Sequence, residues 1–149
     1  MPEAKLMELL AELFDSQRSA VLATQGGGQP YCSLMAFAAT GDLRDLLFAT
    51  LRATRKYAHL AADSRAAMLV DNRTNQPSDP ETALAVTATG RAEEVGAPEK
   101  DRLFGIYLAK HPHLQGFLAL PDCALMRLRV DQYYVVSHFQ EVQVWSMTP

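Results

Sequence analysis

The sequence predicts a mainly β protein, an antiparallel β-barrel with peripheral helices. Three observations carry this expectation. After an opening helical segment, three strand-like segments follow one another through short turns, whereas a parallel α/β fold needs a helix between nearly every pair of strands. The second of them, "PYCSLMAFAAT", is apolar on both faces, as in a strand with a core on one side and a helix, partner subunit or ligand on the other. The last strand-like segment, "ALMRLRVDQYYVVS", sets Met126, Leu128 and Val130 against Arg127, Arg129 and Asp131 through its middle, which is strand periodicity. An antiparallel barrel accommodates all three.

The elements follow in order. Residues 1–15 read as an amphipathic helix, with Leu6, Leu9, Leu10, Leu13 and Phe14 at helical spacing. Pro2 suits the first turn, Glu3 complements the positive end of the helix dipole, and Asp15 and Ser16 end the helix. Residues 19–24 form a short apolar strand, "QGGGQP" turns the chain, and residues 30–40 form the second strand. Gly41 and Asp42 lead into a third strand ending near Thr50. A helix capped by Thr54 follows, with Tyr57, Leu60 and Ala61 on one face. Residues 66–72 and 82–95 read as strands, and Gly90 inside the second marks a bulge or bend. Pro98 opens a helix over residues 99–109, "KHPHLQGF" breaks it, and residues 124–137 form the last strand. No repeat, low-complexity segment or linker divides the chain, so residues 1–149 are expected to be one domain.

The 149 residues suffice to bury a core, and 48% hydrophobic with 21% charged residues is a globular balance. A net charge of -3 argues against a general nucleic-acid binder, so any basic site must be local. No apolar run is long enough for a bilayer, and "MPEAKLMELL" lacks the basic start of a signal peptide. The expectation is a cytoplasmic protein with neither a nucleic-acid nor a membrane partner. Cys32 and Cys123 make no disulfide framework and read as buried apolar fillers.

The densest basic stretch is "LLFATLRATRKYAHLAAD". Arg52, Arg55 and Lys56 crowd a helix N-terminus and Asp63 sits at its far end, the reverse of what the helix dipole favours. Each misplaced cation costs about 0.3–1 kcal/mol at an exposed site. They read either as solvated surface charges or as a grip on an anion. Their position after a strand end favours the anion, with Arg55 as a bidentate donor, Lys56 as a point charge and the hydroxyls of Thr50 and Thr54 nearby. "QGGGQP" is no phosphate loop, since it lacks the Gly-Lys-Ser/Thr ending.

"FATLRATRK", residues 48–56, resembles the FMN-phosphate segment of the pyridoxamine 5'-phosphate oxidase-like, FMN-binding split-barrel superfamily. "AVLATQGGGQPYCSLMAFA" resembles its first hairpin and "HLAADSRAAMLVDN" the helix and strand after its phosphate site. The resemblance implies a six-stranded antiparallel split β-barrel with flanking helices, and a homodimer with FMN in a groove between subunits. It assigns Thr50, Thr54, Arg55 and Lys56 to the phosphate and ribityl chain. It puts Ser33, Leu34 and Met35 beside the flavin ring, Asn72 within reach of the same cofactor, and Trp145 near the flavin from the partner chain. The function it implies is an FMN-dependent oxidoreductase passing reducing equivalents from a nicotinamide to a small-molecule acceptor. A flavin carries that chemistry itself, so the lack of a catalytic triad is no objection. Alternatives within the resemblance are a haem-binding or haem-degrading protein with His138 as ligand, although His138 by itself reads as a structural histidine, a non-catalytic flavin-binding protein, and a deazaflavin user. No arginine follows Arg129, so the basic C-terminal motif that grips pyridoxamine phosphate is missing and that substrate is not expected.

The remaining candidates read as structural. His111 and His113 flank a proline without a carboxylate or cysteine cluster and read as a surface loop, with no metal. Met35 and Met126 read as core, though Met35 is also placed to touch the ring, and Tyr133 and Tyr134 read as packing residues. Glu93 and Glu94 are adjacent in a strand, point to opposite faces, and make no catalytic pair.

Overall fold

The structure of the protein is a computed structural model in which residues 1–138 and 140–147 are described. The opening helix α1 (Glu3–Ser16) buries Leu6, Leu10, Leu13 and Phe14 against the sheet. Two antiparallel strands follow, β1 (Ser19–Gly26) and β2 (Gln29–Ala36), joined by a turn in which Gly27 and Gly28 take positive φ. The chain then changes partners. Phe37 is fully buried, and β3 (Ala38–Ala39) pairs not with β1 but with β4 (Asp45–Leu51). The single strand expected over residues 30–40 is therefore two. Helix α2 (Arg55–Ala62) leads to β5 (Arg65–Asp71), and the short helix α3 (Asp79–Thr82) to β6 (Ala85–Glu94). Helix α4 (Ala97–Lys110), a 3-10 turn (Pro112–Leu114) and the short helix α5 (Gln115–Leu118) precede the long β7 (Cys123–Ser137) and a final β8 (Glu141–Ser146).

The sheet runs β2-β1-β5-β6-β7-β4-β3, with β8 also on β7 and every ladder antiparallel. The two ends of this order, β2 and β3, are consecutive in the chain, so the sheet curls until a covalent link at Phe37 spans its open side. This is the split barrel with flanking helices, built, among the described residues, from eight strands rather than the expected six. The difference is the division of the second strand and the addition of β8. One edge of β7 follows β6. The other serves β4 up to Arg129 and β8 from Gln132, so a single strand carries three neighbours.

Two packed layers explain the strand patterns. Leu46 and Phe48 of β4, with Met126 and Leu128 of β7, point into the barrel. Leu47, Ala49 and Leu125 point outward, beneath Leu103 and Tyr107 of α4 and Leu118 of α5. Leu46 to Ala49 of β4 and Ala124 to Met126 of β7 are apolar in succession because both faces are covered there. On the outer side of β2 Cys32 is exposed, not the buried filler expected, while Cys123 is buried. His111 also departs from expectation: it is buried, with Nε2 2.7 Å from the Phe37 carbonyl oxygen, and ties α4 to the strand switch. Of that pair, His113 is exposed. Gly90 is a bulge as expected, since the register of β6 on β7 shifts between Thr89 and Gly90.

Candidate functional site

The start of α2 is built by Thr54. Its backbone is extended and its Oγ1 accepts the Tyr57 N–H at 3.3 Å, so it caps the helix as the sequence predicts. The same hydroxyl donates to the Leu51 carbonyl at 2.8 Å and lies 3.0 Å from the Thr50 hydroxyl. Thr50 is buried, so both hydroxyls are engaged in holding the turn between β4 and α2.

The three cations separate into two kinds. Arg52 pairs with Glu94 through two contacts, at 2.6 and 3.3 Å, and donates to the Pro121 carbonyl at 3.1 Å. Glu94 also accepts the Tyr57 hydroxyl, and Asp122 accepts the Ala53 N–H at 3.2 Å. The hydrogen bonds from Arg52, then from Tyr57, hold the Glu94 carboxyl below the usual glutamate range despite the opposing effect of desolvation. The protein itself thus neutralises one cation and places two carboxylates at the positive end of the helix. Arg55 and Lys56 are different. Among the described residues neither has a carboxylate within ion-pair distance, and their backbone N–H groups have no acceptor. The Arg55 guanidinium lies 5.6 Å from the centre of the Tyr31 ring on β2. Two unpaired cations and two free amides converging on one helix end are a donor set that fits a phosphate group.

Of the other expected residues, Ser33 and Met35 lie opposite the inward-facing Leu22 and Ala20 of β1, so they share the inner side of β2 with Tyr31. Leu34 lies opposite Val21, faces outward, and is 76% exposed. Asn72 follows β5 at the end remote from α2, where its side-chain oxygen accepts the Leu84 N–H at 2.7 Å. Trp145 of β8 stacks on Tyr133 in its own chain, with ring centres 5.8 Å apart. Within one chain the structure therefore brings together Thr50, Thr54, Arg55, Lys56 and the inner side of β2, but not Asn72 or Trp145.

The profile of the pyridoxamine 5'-phosphate oxidase family matches residues 6–137. The chain belongs to that family. No curated protein matches it. Solved structures of the same fold include a haem binding protein from Mycobacterium smegmatis, 19% identical with a TM-score of 0.84, covering 98% of this chain and 59% of that one. The chain thus spans about three-fifths of that protein's length. A protein from Clostridium acetobutylicum, related to general stress protein 26 of B. subtilis and of the pyridoxinephosphate oxidase family, is 14% identical with a TM-score of 0.74, covering 98% of this chain and 97% of its own. A FAD-binding protein from Mesorhizobium loti is 18% identical with a TM-score of 0.67, covering 89% and 90%. At these identities the likeness establishes the fold.

Beside the start of α2 in this family member lie four residues that the sequence reading passed over. His59, one helical turn beyond Arg55, places Nδ1 2.9 Å from the buried Thr24 hydroxyl. Its ring meets Tyr31 edge-on, with centres 5.5 Å apart and planes at 87°. Gly26 leaves room for it, since a Cβ there would lie 2.6 Å from His59 Nε2. Helical spacing would have placed His59 on the face of Arg55. Nothing in the sequence indicated that β1 and β2 would close over that face; Ala61, placed by spacing on the face of Leu60, is exposed. A cavity of about 560 Å³ between α1, β3 and the end of α4 lies away from this region. Among the described residues no group of histidines, cysteines and carboxylates is spaced to hold a metal ion, and no helix is long and apolar enough to cross a membrane.

Proposed function

We propose that this protein binds FMN, with the phosphate at the start of α2, and acts as an oxidoreductase that passes reducing equivalents from a nicotinamide to a small acceptor. The observation that carries the reading is the pair Arg55 and Lys56. They stand without carboxylate partners beside two free amides, while the neighbouring Arg52 is fully paired. A flavin supplies hydride chemistry when bound, so the residues of this chain need only bind and orient it. Arg55 and Lys56 hold the phosphate, and Thr50 and Thr54 hold the helix start that presents them. Ser33 and Met35 on the inner side of β2, with the backbone of Leu34 between them, flank the ring.

A homodimer completes this site. Val21, Leu34, Leu69, Val142 and Val144 leave an apolar surface on the outer side of the sheet, with Leu34, Val142 and Val144 more than half exposed. An apolar surface of this kind suits a second copy. Asn72 and Trp145, remote from the helix start in their own chain, reach the cofactor in this reading only from the partner.

The test is the absorption spectrum of the purified protein followed by titration with FMN. Flavin bands and a saturating titration support the reading; a protein that is colourless and stays so excludes it. Turnover with NADH or NADPH then separates an enzyme from a non-catalytic flavin-binding protein. A haem reading is favoured by one observation, the likeness in fold to the mycobacterial haem binding protein. It predicts a Soret band on haem titration that is lost in His138→Ala, a residue exposed in the turn between β7 and β8.

A further inference from the structure

Resting on the flavin reading, we infer that Tyr31 is the positioning residue of the phosphate grip: it holds Arg55 in place and so lets the chain distinguish phosphorylated from unphosphorylated flavin. Tyr31 lies on the edge strand β2, distant in sequence from α2, yet it is the point at which β2 meets the helix. The Arg55 guanidinium is 5.6 Å from its ring centre and His59 meets the ring at 87°. His59 is itself fixed from two sides, by the buried Thr24 hydroxyl at 2.9 Å and by the close backbone of Gly26. Thr24 is also the residue directly opposite Tyr31 in the β1–β2 ladder. The ring is therefore held by the hairpin on one side and by the helix on the other.

A guanidinium attracted to an aromatic face keeps its in-plane N–H donors available, and those are the donors that grip a phosphate. A free arginine loses much side-chain freedom when it binds, and one already restrained by a ring loses less. The benefit falls only on ligands that use the guanidinium. FMN does so, whereas riboflavin, which has no phosphate, does not. Tyr31 should therefore affect the affinity for one flavin and not the other, which a purely structural residue would not do.

The experiment compares wild type, Tyr31→Phe and Tyr31→Val; valine is chosen because it suits a strand. FMN and riboflavin are titrated against each. In flavin-free protein the Arg55 Nε–Hε resonance is followed during titration with inorganic pyrophosphate. The expected result is that Tyr31→Phe behaves as wild type. Tyr31→Val should bind FMN about fivefold more weakly with riboflavin unchanged. Its Arg55 resonance should move as the ring current disappears, and its pyrophosphate midpoint should rise by a similar factor. FMN and riboflavin affected equally, or an unmoved resonance and midpoint, overturns the inference. Wild type that binds neither flavin removes the flavin reading, and the resonance with the pyrophosphate titration still decides whether Tyr31 positions Arg55.

Discussion

Gly90 of β6 lies so close to Arg129 of β7 that a Cβ at position 90 would stand 1.9 Å from the Arg129 carbonyl oxygen. The contact occurs at the bulge, where Thr89 faces Gln132, Gly90 faces Val130, and Asp131 is left over. Backbone cannot swing aside as a flexible side chain can. Gly90→Ala is therefore expected to destabilise the protein by about 2–4 kcal/mol, read as a lower urea midpoint. Gly105→Ala is the control. That glycine is exposed within α4 with nothing near it, so the substitution should stabilise by about 0.5–1 kcal/mol.

Arg55 and Lys56 are unfavourable for α2 in the absence of a ligand. The double substitution Arg55→Ala, Lys56→Ala is expected to leave the urea midpoint unchanged or slightly raised, within about 0.5 kcal/mol. It should weaken FMN binding by about 100-fold or more, since two charge-assisted contacts are lost. Fluorescence titration measures the second effect; an unchanged affinity refutes the assignment.

Arg127 is buried and joins Glu93 at 3.2 Å, Glu99 at 2.8 Å and, less closely, Asp45 at 3.9 Å. Removing it leaves three carboxylates without their shared cation, so Arg127→Met is expected to cost about 2–4 kcal/mol in chemical denaturation.

The same network makes stability sensitive to acid. Arg129 first and Arg127 second hold the Glu93 carboxyl down against desolvation, and Arg127 holds down Glu99. Carboxyls lowered in the folded state stabilise it fully above their ordinary value of 4.5 and lose that contribution as pH falls through the lowered values. Burial raises Asp45, which acts with the opposite sign just above 3.8. The melting temperature should fall below about pH 4.5, and less steeply in Arg127→Met.

Lys110 behaves in the reverse sense. Its ammonium donates to the Phe14 and Gln17 carbonyls at 2.7 Å each and lies 3.9 Å from the Phe37 ring centre, closing the end of α1. Burial pushes its pKa from 10.5 down to about 8. Above that value the unfolded chain binds the extra proton, so stability should rise with pH. Tyr107, pushed by burial from 10.0 up to about 12, turns the trend downward once unfolded tyrosine ionises near 10. Melting curves between about pH 8 and 10 should show the rise in wild type and lose it in Lys110→Met.

Much of the fold can be read locally. Thr54 announces its helix because a threonine before a polar helical turn has an oxygen to offer an orphan amide. Gly90 announces its bulge because a glycine inside an otherwise good strand signals close backbone approach. Two features could not be read this way. The break at Phe37 carries no glycine or proline, and it occurs because the strand must leave β1 to reach β4. The turn into β8 uses His138 and Gln140 at positive φ, where a sequence reader expects glycine or asparagine, so the last strand went unseen despite the alternation of Val142 and Val144 with Gln143 and Trp145. At the site, the sequence placed three cations at one helix start without showing that Glu94, 42 residues beyond Arg52, would neutralise that arginine.

By itself the sequence determined where most strands lie along the chain, the capped helix with its reversed charges, and the bulge, since each depends on neighbours a few residues apart. Only the tertiary structure decided which of those charges stay free. The curled antiparallel sheet brings Glu94 to Arg52 and Tyr31 to Arg55 from distant parts of the chain. Electrostatic attraction acts through space and falls off with distance, so which cation stays unpaired is a property of the curled sheet and not of the segment that carries it.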